Sequence, residues 1–547
     1  MSTSLTQQQR ETQAKNELNH TKLSSRIAYL LTAQFLLVIF AVPIIQIIFD
    51  SQQSQGESKV LNNLFESPDN LQLQTTQSED MLFSQLLQKN RVLLNNLDQL
   101  ENGLKETSQV AQFIRPPSQH LLTSWLGVGN EQVYPGRSSW LFYHEDLDYL
   151  MERKALDRAL QPILHFNTQL TTLGIRLIVM PTPVKPTIHP EKFSRYFEYS
   201  SAPLQALKYE TLIGELEQNG VLVFDPAELL AQAKQETGHP QYLMTDTHWR
   251  PNAVQVVAEH LHDFIKNRHL LPILPKEKFT SHTIEATNTG DTTRLLDLPD
   301  KQILYPKERV LLRQIRTRND ASWQHDTSAD ILVLGDSFSN IYSLATMGWG
   351  ESSGFVEQLS FVLQRPVDRI VQNNDGAFAT RELLARELAT GHDRLSSKRL
   401  IIFQFSSREL ANGNWKFIDL NLSDVWSTNF FVPKPATTLV VRGTVQEVTS
   451  VPQPGTVPYP DHIMAVHLTN VTVDKENLVD QQVLVYMWGM RNHDWEPAAY
   501  LDSGDTITVL LKAWADVASD YDGINRTELE SDYARYEPPA WGEIIKE

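Results

Sequence analysis

ILVLGDSFSNIYSLA, residues 331–345, is the stretch on which the reading of this chain turns. The apolar run 331–334 breaks at Gly335-Asp336-Ser337 and gives way to helical spacing, so the segment predicts a buried strand, a tight turn and a helix. Such a strand end holds a serine on a tight bend with backbone amides free to receive an oxyanion, which makes Ser337 the candidate nucleophile. Taken alone, the same residues also fit a helix N-cap, with Asp336, Ser337 or Ser339 accepting from the first turn.

Neighbouring segments repeat the alternation. RLIVMPTP (176–183) is a short apolar run closed by prolines, VLVFDPAELLAQAK (221–234) reads as strand, Asp-Pro turn and helix, and RLIIFQFSSREL (399–410) is a further buried strand with a polar exit. Such alternation predicts an α/β domain with a mainly parallel sheet and a site at the carboxyl ends of its strands. From about residue 437 the period changes to two in TLVVRGTVQEVTS, HIMAVHLTNVTV, QVLVYMWGM and DTITVLLKAW. These predict a small all-β unit, an OB-like barrel or a sandwich. Tyr486, Trp488 and Trp495 in it could stack on sugar rings or fill the core.

Toward the amino terminus, residues 27–49 carry no charge and as a helix are long enough to cross a bilayer. Arg10, Lys15, Lys22 and Arg26 precede them and Asp50 and Glu57 follow, which places the amino terminus in the cytoplasm and the rest outside. A cleaved signal peptide or a buried core helix are the alternatives. Residues 50–80 are rich in Ser, Gln and Asn and read as a tether, and 81–106 have helical apolar spacing, as a stalk or as a helix packed on its own domain. The expected organisation is a cytoplasmic tail (1–26), a transmembrane helix (27–49), tether and stalk (50–115), the α/β domain (116–436) and the β domain (437–547).

The 547 residues are 41% hydrophobic and 21% charged, with a formal net charge of -18. That balance excludes a disordered chain and argues against general nucleic-acid binding, which needs an excess of Lys and Arg. The absence of cysteine excludes thiol nucleophiles, disulfide scaffolds and Cys-based metal sites. His144, His189 and His239 lack metal-ligand spacing to a carboxylate pair, and no metal is assigned.

Asp246-Thr247-His248-Trp249 supplies the remaining catalytic groups. On an extended segment residues two apart share a side, so Asp246 can hold one imidazole nitrogen of His248 while the other faces a serine. A surface Asx turn ahead of the helix PNAVQVVAEHLHDFIK is the plainer alternative. Lys185 and Arg381 could bind an acidic sugar or simply be solvated, and Asn374 and Trp249 join them as candidate substrate contacts.

TDTHWRPNAV together with LVLGDSFS resembles the signature of the SGNH-hydrolase-like alginate O-acetyltransferase family, in which Asp-x-His precedes Gly-Asp-Ser. YPGRSSWLFY (134–143), IVMPTPVKPTIHP (178–190) and IIFQFSSREL (401–410) resemble its opening segment, its Pro-x-Pro-x-Lys strand exit and its closing strand. Ser138 or Ser139 stands where the family has glycine, and Gln404 where it has glutamate. The resemblance implies O-acetylation of an extracellular or periplasmic polysaccharide through an acetyl-serine at Ser337, with His248 and Asp246 completing the triad. It also implies an oxyanion amide from an Asn such as Asn373 or Asn374, and a partner, an integral membrane-bound O-acyltransferase that passes acetyl groups outward from cytoplasmic acetyl-CoA. On this reading no cofactor is bound, and a single-pass inner-membrane anchor holds the catalytic domain in the periplasm or cell envelope. A polysaccharide acetyl esterase with the same triad and a non-catalytic polysaccharide-binding assembly protein are the rival functions.

Overall fold

The computed structural model describes residues 29, 32, 33 and 109–545, apart from 153–155, 198–201, 300, 390, 421–429, 455–456, 458, 474–475, 478–481, 522, 530–533 and 535–536. Two compact units divide the chain, 1–117 and 118–547. The uncharged stretch 27–49 and the stalk 81–106 lie outside the described residues, save for Tyr29, Thr32 and Ala33. Among the described residues no helix is long and apolar enough to cross a membrane.

The second unit is built on five parallel strands. They are β1 (Arg176–Thr182), β2 (Leu222–Val223), β3 (Ile331–Gly335), β4 (Asp368–Val371) and β5 (Leu400–Ser406), in the spatial order β2-β1-β5-β3-β4. Their near-continuous apolar sequences follow from burial on both faces. Ile178, Met180, Ile331, Val333, Leu400 and Ile402 point into one core, which α4 (Pro251–Asn267) and α6 (Phe355–Leu363) cover. The alternate residues Leu177, Val179, Leu332, Leu334, Ile401 and Phe403 point into the other, under α1 (Leu160–Thr172), α2 (Tyr209–Gln218) and α7 (Ala379–Ala389). α3 (Ala227–Thr237) follows β2, and α5 (Ser337–Asn340) follows β3. Each fully buried aliphatic side chain contributes about 2 kcal/mol relative to exposure, so the two-sided core holds the sheet rigid beneath its carboxyl edge. Because the strands are parallel, Thr182, Gly335, Val371 and Ser406 all end at that edge.

The opening segment forms a hairpin, Val133–Pro135 against Leu141–Tyr143. Ser138 and Ser139 turn it with φ of 55° and 61°, the left-handed region that favours glycine. Further along, Thr280–Asn288 and Glu308–Arg316 make a second, two-stranded antiparallel sheet.

The carboxyl-terminal β unit is a closed barrel. β6 (Thr438–Val448), β7 (His462–Val473), β8 (Gln482–Arg491), β9 (Thr506–Ala513) and β10 (Pro539–Ile544) pair in the ring β6-β7-β8-β10-β9-β6, with β8–β10 the parallel contact. Closure removes the sandwich alternative. Val441, Met464, Val466, Val485, Met487 and Val509 fill the interior. Tyr486 packs with Trp514 and Trp541 on the outer side, and Trp488 and Trp495 are half-buried. The barrel's return segment reaches the parallel-sheet body. Glu528 takes a bidentate pair of 2.5 Å bonds from Arg386 of α7, and Asn525 Oδ1 accepts the Asn373 amide at 2.7 Å.

Candidate active site

Ser337 sits at the first position of α5, directly beyond the end of β3, and is 4% exposed. The bend is set by Gly335, where a Cβ would come within 2.5 Å of Ser339 Oγ, and by Asp336, whose Oδ1 accepts from the Phe338 amide at 2.9 Å. Asp336 is therefore the N-cap, and the cap and the serine bend are one structure. Gln404, from β5, supports it from below. Its Oε1 accepts from the Asp336 amide (3.0 Å) and Ser339 Oγ (2.6 Å), while its Nε2 donates to Asp336 Oδ1 (2.8 Å) and Thr182 Oγ1 (3.0 Å). Asp336 Oδ2 accepts the Ser406 amide at 2.5 Å. Burial pushes the Asp336 carboxyl up, against the opposing hydrogen bond from Gln404 and the charge of Arg408.

The Asp-Thr-His segment is a closed loop rather than an extended run. Tyr242 bridges Trp249, and the Leu243 amide donates to the His248 carbonyl at 3.1 Å. Within it Asp246 Oδ1 accepts both the His248 amide (3.1 Å) and His248 Nδ1 (2.7 Å). The Asx turn and the carboxylate–imidazole dyad are thus made by the same oxygen. A carboxylate only accepts, so the neutral ring carries its proton on Nδ1 and presents the Nε2 lone pair. His248 Nε2 is buried with no hydrogen-bond partner. Phe338, next to Ser337, packs on the ring at 4.9 Å between centroids. Burial alone would raise the Asp246 carboxyl, but the hydrogen bond and charge of His248, with the 2.9 Å bond from Trp349 Nε1, hold it below the usual carboxylate range. Burial works to lower His248, and the Asp246 bond and charge outweigh it, so the imidazole is more basic than usual.

Trp249 joins the two motifs. Its indole Nε1 donates to the Phe338 carbonyl at 2.9 Å, and its own carbonyl accepts from Tyr342 at 2.7 Å. The loop bearing His248 and the helix bearing Ser337 are therefore fastened to each other through buried hydrogen bonds.

A buried acid–base dyad fastened to a serine at the crest of a parallel sheet is a set of groups suited to acyl transfer. The family whose description is SGNH hydrolase-like domain, acetyltransferase AlgX, matches residues 133–406 of the chain, half its length and every element just described. The chain belongs to this family of SGNH-hydrolase-like acetyltransferases. Among curated proteins, the chain is 25% identical over 298 residues to the probable alginate O-acetylase AlgJ of Azotobacter vinelandii, covering 52% of this chain and 71% of that one. To the Pseudomonas putida protein of the same name it is 27% identical over 303 residues, covering 52% and 72%. Among solved structures, the O-acetyltransferase domain of Pseudomonas putida AlgJ aligns with a TM-score of 0.41 at 20% identity, over 53% of this chain and 95% of that one. Pseudomonas aeruginosa AlgX aligns with a TM-score of 0.41 at 16% identity, over 62% and 72%.

In this O-acetyltransferase the other sequence-derived candidates lie as follows. Trp249 is fully buried and takes the tie role already described. Lys185 is fully buried, its Nζ donating to the carbonyls of Leu141 (2.6 Å) and Met244 (3.2 Å); burial pushes its pKa down to about 8. It ties the opening hairpin to the residue two before Asp246. Arg381 is also fully buried, near the rings of Phe166, Phe403 and Trp415, with Nη2 donating to the Ala377 carbonyl at 2.6 Å. Neither cation faces solvent: Lys185 Nζ is spent on backbone carbonyls, and Arg381 gives Nη2 to carbonyls while its Nε and Nη1 are buried among the rings without a hydrogen-bond partner. Asn374 is exposed on the loop after β4, while Asn373 accepts from Asn340 of α5 at 2.8 Å.

The four hydrogen bonds of Gln404 need both an acceptor and a donor. Gln404→Glu would set a second carboxylate against Asp336 Oδ1 and lose the donor. We expect a stability loss of about 2 kcal/mol at pH 8, measured by urea unfolding. The deficit should narrow as pH falls, because one proton shared between the two carboxyls restores the donor.

Two groups carry no mark in the sequence. Trp349 donates to the outer oxygen of Asp246, and Asp291 enters the site from a segment, NTGDTT, that reads as an ordinary polar loop. Donor atoms of Asp246, His248 and Asp291 lie within 4.8 Å of one another. All four carboxylate oxygens of this group already accept from N–H or O–H donors, an arrangement built for hydrogen bonding rather than for a cation.

Proposed function

We propose that this chain O-acetylates an extracellular, alginate-like polysaccharide by way of an acetyl-enzyme at Ser337. The observation that carries the reading is the 2.7 Å contact of His248 Nδ1 with Asp246, which leaves Nε2 as the free base on the loop that Trp249 ties to Phe338. In the first half-reaction Ser337 Oγ attacks the acetyl carbonyl carbon of the donor. His248 Nε2 takes the hydroxyl proton, Asp246 stabilises the imidazolium, and the proton passes to the donor's leaving group as it departs. In the second, a sugar hydroxyl attacks the acetyl-serine carbonyl and gives its proton to His248, which returns it to Ser337 Oγ. The names of the curated relatives, alginate O-acetylases, support the polymer class. The acetyl donor is supplied, ultimately from acetyl-CoA, by a membrane-bound O-acyltransferase partner, and residues 27–49 anchor the catalytic unit at the outer face of the inner membrane.

Because His248 must be neutral to accept the proton, and its pKa is raised above the ordinary 6.5, activity should fall as pH drops through a midpoint above 6.5. A pH profile of kcat/KM with a chromogenic acetyl ester checks this, and a midpoint at or below 6.5 counts against His248 as the base. Supplying uronate oligosaccharide with that ester tests the acceptor. Transfer requires acetylated sugar to form at the expense of free acetate, whereas acetate release indifferent to sugar identifies an esterase.

A further inference from the structure

Asp291 approaches the imidazole of His248 from a different chain segment than Asp246. It opens the short helix Asp291–Leu295, after Gly290 with φ 79°. A Cβ on Gly290 would come within 2.1 Å of the Thr245 carbonyl, so the two segments touch backbone to backbone. They are cross-clamped. Asp291 Oδ1 accepts the Thr247 amide (2.8 Å) and Oδ2 accepts Thr247 Oγ1 (2.5 Å), while in return the Asp291 amide donates to Asp246 Oδ2 (3.1 Å). Thr245 Oγ1 adds a 2.6 Å bond to the Thr289 carbonyl. Asp291 Oδ2 stands 3.6 Å from His248 Nδ1, so the imidazole edge that meets Asp246 faces a second carboxylate.

We infer that Asp291 is a positioning residue for His248, which fixes the Asp-Thr-His loop through Thr247 and adds a second negative charge to stabilise the imidazolium. The inference rests on the reading of His248 as general base. Loop fixation alone would be satisfied by any acceptor at this point; the short distance to Nδ1 is what a charge requires. The charged groups around the ring are Asp246 on its own loop, Asp291, and Arg408 beyond β5, whose charge acts in the opposite sense. Burial and the charge of Asp246 push the Asp291 carboxyl up, and the charge of His248, the bond from Thr247 and the charge of Lys185 oppose them, so the imidazolium is the state that favours the Asp291 carboxylate. Glu308, which bears on Asp246, is paired with Arg250 at 2.7 Å. Besides Asp246 itself, Asp291 is the group among these that both touches the loop by hydrogen bonds and approaches Nδ1.

The test is Asp291→Asn in the full chain, which keeps an acceptor for the Thr247 amide while removing the charge. Loss of a nearby negative charge lowers the imidazole pKa, by about one unit at this separation. The acid limb of the pH profile with a chromogenic acetyl ester should move down by about that much, and turnover on the plateau should fall about ten-fold as the base weakens. An NMR titration of histidine-labelled protein, with His248→Gln to assign the signal, should show the same downward shift. A purely structural clamp would lower the melting temperature and leave both the limb and the titration in place, which would overturn the inference. The NMR arm is independent of turnover. If Ser337→Ala keeps its activity, the functional reading fails, and the titration still decides the role of Asp291.

Discussion

Replacing Ser337 by alanine should abolish acetyl transfer while leaving the fold intact. In the proposed mechanism the serine Oγ is the atom that forms and breaks the acetyl bond, so its loss leaves only the binding and electrostatic contributions of the site, and the fall in turnover should be roughly 10³-fold or more. Ser337 makes no side-chain bond on which the crest depends. The bend is held by Asp336, Gln404 and Ser339, and the His loop by Asp246 and Trp249. The melting temperature should therefore stay within a few degrees of wild type. Turnover that survives the change would remove Ser337 as nucleophile. Loss of turnover together with unfolding would show that the serine holds the crest, contrary to the hydrogen-bond pattern.

Arg408→Leu should cost about 3 to 5 kcal/mol at neutral pH, because it removes the partner of a buried charge. Arg408, just past the end of β5, donates to Asp146 at 2.9 Å, and the Asp146 side chain is fully buried. The guanidinium also lies 5.6 Å from the Tyr143 ring and 6.0 Å from that of Phe338, so it links the opening hairpin to the crest. Burial already pushes the Asp146 carboxyl up, with Arg408 the main opposing influence. Without Arg408 its folded pKa rises further above the unfolded value. The unfolded state then releases that proton more readily, and the variant's deficit should shrink as pH falls. Urea unfolding at pH 8 and pH 5 checks both size and sign. A loss under about 1 kcal/mol at pH 8, or a deficit that grows in acid, would contradict the role given to this pair.

Four of the five strands of the sheet were legible because burial on both faces leaves apolar runs such as ILVL and LIIF that polar segments interrupt; the short edge strand Asp368–Val371, with Asp and Arg in its four residues, was not. The contact of Asp246 with His248 and the bend at Ser337 were legible because each lies within one short motif, and the family likeness rests on the same residues. What lay beyond the sequence was three-dimensional satisfaction. Lys185 and Arg381 read as surface cations or sugar ligands, since nothing along the chain announces that the carbonyls of Leu141, Met244 and Ala377 will accept their hydrogen bonds. Trp249 read as a contact for substrate because an aromatic beside a catalytic histidine has two possible directions, and only the fold brings the Phe338 carbonyl to its indole. Asp291 was invisible for a related reason, being 43 residues beyond His248 in a loop of ordinary composition. For the β unit, alternation at period two is common to barrels and sandwiches. The pairing of β8 with β10, far apart in sequence, is what closes the ring.

The most direct test of the central claim is mass spectrometry of the chain after brief exposure to an activated acetyl ester, with peptide mapping, in the presence and absence of a uronate oligosaccharide. An acetyl group on Ser337 that disappears faster with the oligosaccharide, as acetylated sugar appears, is the predicted result. Acetylation that never reaches Ser337, or an adduct on Ser337 that water removes at the same rate whether or not sugar is present, would contradict it.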